Sequence, residues 1–165
     1  MKLKVFSLFF AVIFLSGCAA NQKVEWNDDH AVDAVKISTI EVATSVDVPE
    51  HELEFMKNDI KSKISDSEFW SANPSEYTLK VVIDKYDEGN AFARFMLIGL
   101  GQMHLNGTVE LLVGEPPEVI KSGSFEKNYV VGGIAGGMAT MHEDVVSKLG
   151  DAIVEALNNP SKSGS

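Results

Sequence analysis

The spacing of apolar and polar positions changes several times along the chain, and each change marks a predicted element. Residues 5–15 form an apolar run in which Ser7 is the one polar position, with Lys2 and Lys4 before it. Residues 19–34 are polar without a sustained period, which predicts a flexible tether in which only Trp26 is suited to docking. Residues 35–44, rich in Val, Ile and Thr, read as a first strand. Asp47, Pro49 and Glu50 then form a helix-start signature with Asp47 as N-cap. Leu53, Met56, Ile60 and Ile64 follow at spacings of three and four, so a helix with one apolar stripe runs to about Ser67.

After a break at 71–75 the period drops to two. Tyr77, Leu79, Val81 and Ile83 alternate with Thr78, Lys80, Val82 and Asp84 as a second strand. Met103, Leu105, Val109, Leu111 and Val113 repeat the pattern, with Gly107 interrupting the apolar face. A turn at 114–118 leads to a returning strand over 119–131, which closes a hairpin. Met141, Val145, Leu149, Ala152, Ile153, Ala156 and Leu157 predict an amphipathic helix over 140–158, ended by Asn159 and Pro160 before a polar tail at 159–165. The order strand, helix, strand, strand, strand, helix predicts a single α+β domain over 35–158. Its largely antiparallel sheet carries two helices on one face.

Two lysines followed by eleven largely apolar residues have the layout of an export signal. As a helix the run would rise only about 16 Å against a hydrocarbon core of about 30 Å, so it targets rather than spans. Directly after it stand Leu15, Ser16, Gly17 and Cys18. These four positions resemble the lipobox of bacterial lipoproteins, in which small residues let the peptidase approach the backbone. The resemblance implies that residues 1–17 are a signal peptide cut before Cys18, that the Cys18 thiol receives diacylglycerol, and that the new amino terminus is acylated. Residues 18–34 then become a lipidated tether. Ala19, where an aspartate would signal retention, is similar to the pattern of Gram-negative lipoproteins passed on to the outer membrane, and implies its periplasmic leaflet.

Composition narrows the class. Cys18 is the only cysteine, so the exported chain has no intramolecular disulfide, and lipidation gives its thiol a role. Removing residues 1–17 from the 165 leaves 148, enough for one domain with a core. Lys2 and Lys4 leave with the signal, so twelve basic residues face 24 acidic ones, a formal charge of −12. That balance argues against a nucleic-acid partner and against electrostatic adsorption to anionic lipid. Lipid, not charge, is the expected tie to the membrane.

Two glycine-rich segments, 89–101 and 131–138, hold seven of the 13 glycines, and the first contains Arg94, the only arginine. Gly89, Arg94, Gly99, Gly101, Gly132 and Gly133 resemble, in their placement between strands and before a last helix, a family of small bacterial lipoproteins catalogued only as a domain of unknown function. The resemblance covers 35–158 and brings no activity with it. The strand and helix order also resembles periplasmic lipoprotein domains that serve as accessory subunits of envelope machines, an analogy of fold alone. Three readings of the loops stay open. Either the glycines make turns and the apolar residues fold back into the core, or Phe92, Phe95, Met96, Leu97 and Ile98, with Arg94, form an exposed surface for a partner or for self-association. The third is membrane contact: Gly132 and Gly136, like Gly133 and Gly137, have the four-residue spacing of helix-packing glycines in membranes, yet the uncharged run 128–141 is too short to span one.

No motif nominates a reaction. His30, His51, His104 and His142 lack metal-ligand spacing, His142-Glu143 lacks the second histidine of a zinc-protease helix, and each histidine reads as part of a solvated face. His104 stands where a dinucleotide fingerprint starting at Gly99 needs its third glycine, and no lysine follows Gly136-Gly137. The expectation is a non-enzymatic lipoprotein with no catalytic, metal or cofactor site and with covalent lipid on Cys18. It would be anchored in the envelope and bind another envelope component as an accessory subunit. The rival expectations are a self-assembling structural lipoprotein and, third, an envelope small-molecule binding protein or hydrolase.

Overall fold

A computed structural model describes residues 23–27, 35–96, 100–129 and 138–159, the side chains of Arg94, Glu143 and Asp144 excepted. The signal segment, Cys18 and the tail beyond Asn159 lie outside these residues. The strands are β1 (Lys23–Trp26), β2 (Ile37–Thr44), β3 (Tyr77–Asp87), β4 (Met103–Val113) and β5 (Glu118–Tyr129). The helices are α1 (Glu50–Ser65), α2 (Ala91–Met96), α3 (Met141–Asp144) and α4 (Leu149–Asn158), with a 3₁₀ turn at Val146–Lys148.

The strands form one sheet in the order β1-β5-β4-β3-β2. The β1/β5, β5/β4 and β4/β3 pairings are antiparallel, and β2/β3 is parallel. The result is an α+β fold with a mixed, mostly antiparallel sheet. A parallel neighbour needs a crossover, and α1 supplies it. The apolar alternation in β3 and β4 buries Leu79, Val81, Ile83, Met103, Leu105, Val109 and Leu111 on one face, against Met56, Ile60 and Ile64 of α1 and Leu149 and Ile153 of α4.

Three details depart from the sequence expectation. Residues 23–26, within the predicted tether, form an edge strand in which Val24 and Trp26 are buried. The four-residue run gives too short a period to stand out, and its docking depends on a receptor elsewhere in the chain. Second, α1 starts at Glu50 with Pro49, not Asp47, as N-cap and without a side-chain cap. The Pro49 carbonyl instead accepts from the amides of Glu52 and Leu53. The extended ψ of Pro49, 134°, holds the preceding residues outside the helix. Third, the last helix breaks into α3, the 3₁₀ turn and α4. Val145 and Val146 are both fully buried, and adjacent side chains of one regular helix point about 100° apart. The tighter turn lets both enter the core.

Gly107 does not interrupt the apolar face so much as receive a ring. It lies opposite Phe125 in the β4/β5 register, and a Cβ there would come within 2.6 Å of Phe125 Cζ. Gly123, opposite Trp26 in the β1/β5 register, does the same for the indole: a Cβ would lie 2.9 Å from Trp26 Cε3. The indole Nε1 donates to the Ala156 carbonyl of α4 at 2.9 Å, and the Lys121 ammonium lies 5.3 Å from the ring centroid. Trp26→Ala empties this pit and removes the indole hydrogen bond, although the Ala156 carbonyl keeps the Asn159 amide as a donor, so the expected loss of stability is about 3–5 kcal/mol, measured by urea unfolding of the two proteins side by side.

Candidate interaction surface

Both glycine segments leave the same end of the sheet. β3 and β5 each pair antiparallel with β4 and therefore run in the same direction. The first segment follows β3. The second follows β5, whose last residue, Tyr129, pairs with Met103 at the start of β4.

Local hydrogen bonds brace the first loop. Asp87 Oδ1 accepts from the Gly89 amide at 2.8 Å, and Asn90 Oδ1 accepts from the Ala93 amide at 2.9 Å, which caps the short helix α2. The Asn90 amide donates to the Gly101 carbonyl at 3.2 Å and closes the loop base. Gly89 and Gly101 take φ of 64° and 68°, where any other residue would be strained and where a Cβ would strike the facing backbone of Gln102 and Asn90.

On this base the apolar side chains point outward. Phe92, Phe95, Met96 and Leu100, with Met138 from the second loop, are between 49% and 76% exposed. Of the residues expected to form an interaction surface, Phe92, Phe95 and Met96 are exposed and do not fold into the core. Arg94 belongs to α2, but its side chain is outside the description, as are Leu97 and Ile98 altogether. Leu100 and Met138 join the surface without a sequence signal, since neither has a periodic neighbour.

Beneath Met138 the chain is pinned to α1. Glu52, only 6% exposed, accepts from His142 Nδ1 at 3.0 Å. The Phe55 ring packs on the imidazole with centroids 4.0 Å apart, and His51 Nε2 lies 3.6 Å from the other Glu52 oxygen. His142, expected on a solvated face, keeps a side chain that is 41% exposed and is in addition tied to helix α1. A long-range contact of this kind leaves no mark in local spacing. On the opposite face of the sheet His104 Nδ1 pairs with Asn128 Oδ1.

Tyr86, in register with Leu105 at this end of β3, donates its hydroxyl to Glu88 Oε1 at 3.0 Å. Burial first, then that hydrogen bond and the negative charges of Glu88 and Glu52, push its phenol well above the usual 10.0. These groups anchor chain segments. Among the described residues no group of three or more His, Cys, Asp and Glu is placed to hold a metal ion.

The fold and its exposed end define an α+β domain with apolar side chains exposed at one end of its sheet. The chain belongs to the family described as "Domain of unknown function (DUF4410)", whose model matches residues 47–134, from the start of α1 through β5 into the second glycine loop. None of the curated proteins matches it. Among solved structures it is similar to the PelC dodecamer from Paraburkholderia phytofirmans, at 12% identity and a TM-score of 0.48 over 80% of this chain and 96% of that one. It is likewise similar to protein XCC0632 from Xanthomonas campestris, a DUF330 protein, at 11% identity and a TM-score of 0.48 over 75% and 83%. Both are distant likenesses.

A phenol whose folded pKa is raised contributes stability that is complete below its unfolded value and is lost as pH climbs past it. Stability should therefore fall as pH rises above 10.0, and fall less steeply in Tyr86→Phe. Urea midpoints across the alkaline range, wild type against variant, give the comparison, and parallel slopes would contradict the assignment.

Proposed function

We propose that this chain is a lipoprotein fastened through acyl chains on Cys18 to the periplasmic leaflet of the outer membrane. It works by binding another envelope component, as an accessory subunit, and not by catalysing a reaction. The observation that carries the binding role is the exposed end bearing Phe92, Phe95, Met96, Leu100 and Met138. Large apolar side chains gathered at one end of a domain and held there by a hydrogen-bonded frame are characteristic of a contact surface.

The anchoring role rests on Leu15, Ser16, Gly17 and Cys18 directly after an export signal, on the absence of any second cysteine, and on Ala19. Among the described residues no helix is long and apolar enough to cross a membrane. Two or more acyl chains hold a protein where one is marginal, at about 0.8 kcal/mol for each buried methylene. The lipid is the one non-protein group this role requires. The same exposed side chains favour self-association as a second reading.

The test is fatty-acid labelling with fractionation of the full chain and of Cys18→Ser. The wild type is expected to carry label and sediment with membranes, and the variant to carry none and to appear mainly in the soluble fraction. A wild-type chain that takes up no label sinks the lipoprotein reading.

A further inference from the structure

We infer that the apolar end meets the lipid bilayer rather than a protein partner, so that the anchor of the reading above is kept and the accessory-subunit contact at this end is not. The inference rests on the anchoring reading above and specifies which part of the domain that anchor holds against the membrane.

Chain length decides the orientation. β1 runs antiparallel to β5 with Lys23 opposite Glu126, three residues before β5 ends at Tyr129. At about 3.3 Å per residue, Lys23 stands roughly 10 Å below the level at which the loops begin. Cys18 precedes Lys23 by five residues, and five extended residues reach at most about 18 Å. The opposite end of the sheet, where β5 starts at Glu118, lies eight residues from Glu126, or roughly 26 Å by the same rise. Whatever path the five residues take, Cys18 can reach the level of the glycine loops and cannot reach the level of the hairpin turn.

The chemistry of the two ends agrees with this orientation. The loop end presents Phe92, Phe95, Met96, Leu100 and Met138 beside the exposed Asp87 and Glu88, whereas the hairpin end presents Glu115 and Glu118 and, among the described residues, Val119 as its one large exposed apolar side chain. A mature charge of −12 leaves no net attraction to anionic headgroups, so the contact is one of apolar side chains with the acyl boundary and is insensitive to salt. Copies tethered in one leaflet point their loop ends the same way, so two of them do not meet end to end there.

The experiment uses the full lipidated chain in phosphatidylcholine vesicles that contain an acyl-chain quencher. Phe95→Cys, Met138→Cys and Glu115→Cys each introduce a single free thiol, because the Cys18 thiol is occupied by lipid, and each is labelled with a polarity-sensitive fluorophore. The expected result is a blue shift and loss of most emission at positions 95 and 138, little change at 115, and no reversal by high salt. Vesicle-bound protein in which 95 and 138 are quenched no more than 115 overturns the inference and leaves the anchor standing. Energy transfer between labels at 95 on different copies that survives dilution with excess lipid also overturns it, in favour of a second copy. Protein that carries no lipid and fails to float with the vesicles sinks the anchoring reading, and this inference with it.

Discussion

The seating of Trp26 on Gly123 is the contact on which the arrangement of this domain depends. The strand of Trp26 covers the β5 edge of the sheet, and the indole side chain fills a pit that only a glycine leaves open and donates to the Ala156 carbonyl of α4. Sheet and last helix are thereby joined through a residue that is eight positions from the proposed lipid attachment site. A flexible linker of the predicted length would let the domain tumble above its anchor. In the proposed anchored form the docked strand leaves five residues between Cys18 and Lys23, and the direction of β1 puts its start nearer the glycine-loop end than the hairpin end. Gly107 and Phe125 repeat the same device one strand further in. Both glycines exchange their own packing for a ring from a neighbouring strand, and both rings bury more area than a β-branched side chain in the glycine's place would.

The loop end joins two opposite requirements. Its side chains are apolar and exposed, yet its backbone is held by Asp87, Asn90 and the Gly101 carbonyl, and its second segment is tied to α1 through Glu52, His142 and Phe55. A frame of this kind presents side chains in fixed positions and reduces the ordering that contact would otherwise demand. The buried carboxylate of Glu52 is tolerated because the imidazole hydrogen-bonds to it, and the ring of Phe55 packs on that imidazole.

How much of this was legible depends on the range of the information each element needs. β3, β4, α1 and the core positions of α4 follow from local period alone, because each buries one face and polar residues mark the other. β1 could not be read that way. Its four residues alternate, but so do many surface segments, and only Gly123 on a distant strand distinguishes them. Gly107 could be recognised as a break in the pattern but not as a receptor for Phe125, since the register that pairs them is a property of the sheet. For the loops, an apolar run between glycines is equally compatible with burial and exposure. The Asn90 cap and the close approach of Gly89 and Gly101 to the facing backbone settle it toward exposure for Phe92, Phe95 and Met96. The tie of His142 to Glu52 was not legible because its partner lies on another element.

The two margins of the sheet carry a further consequence. β1 is four residues long with Lys23 and Glu25 directed outward, and β2 exposes Thr39, Glu41 and Ala43 along its length. Short edges and charges within them oppose strand-to-strand pairing between molecules. A protein confined to a membrane plane meets its own copies at far higher local density than one free in solution, with its edges presented sideways to them. Blunted margins let such a domain be crowded on a surface without its sheets zippering into fibrils.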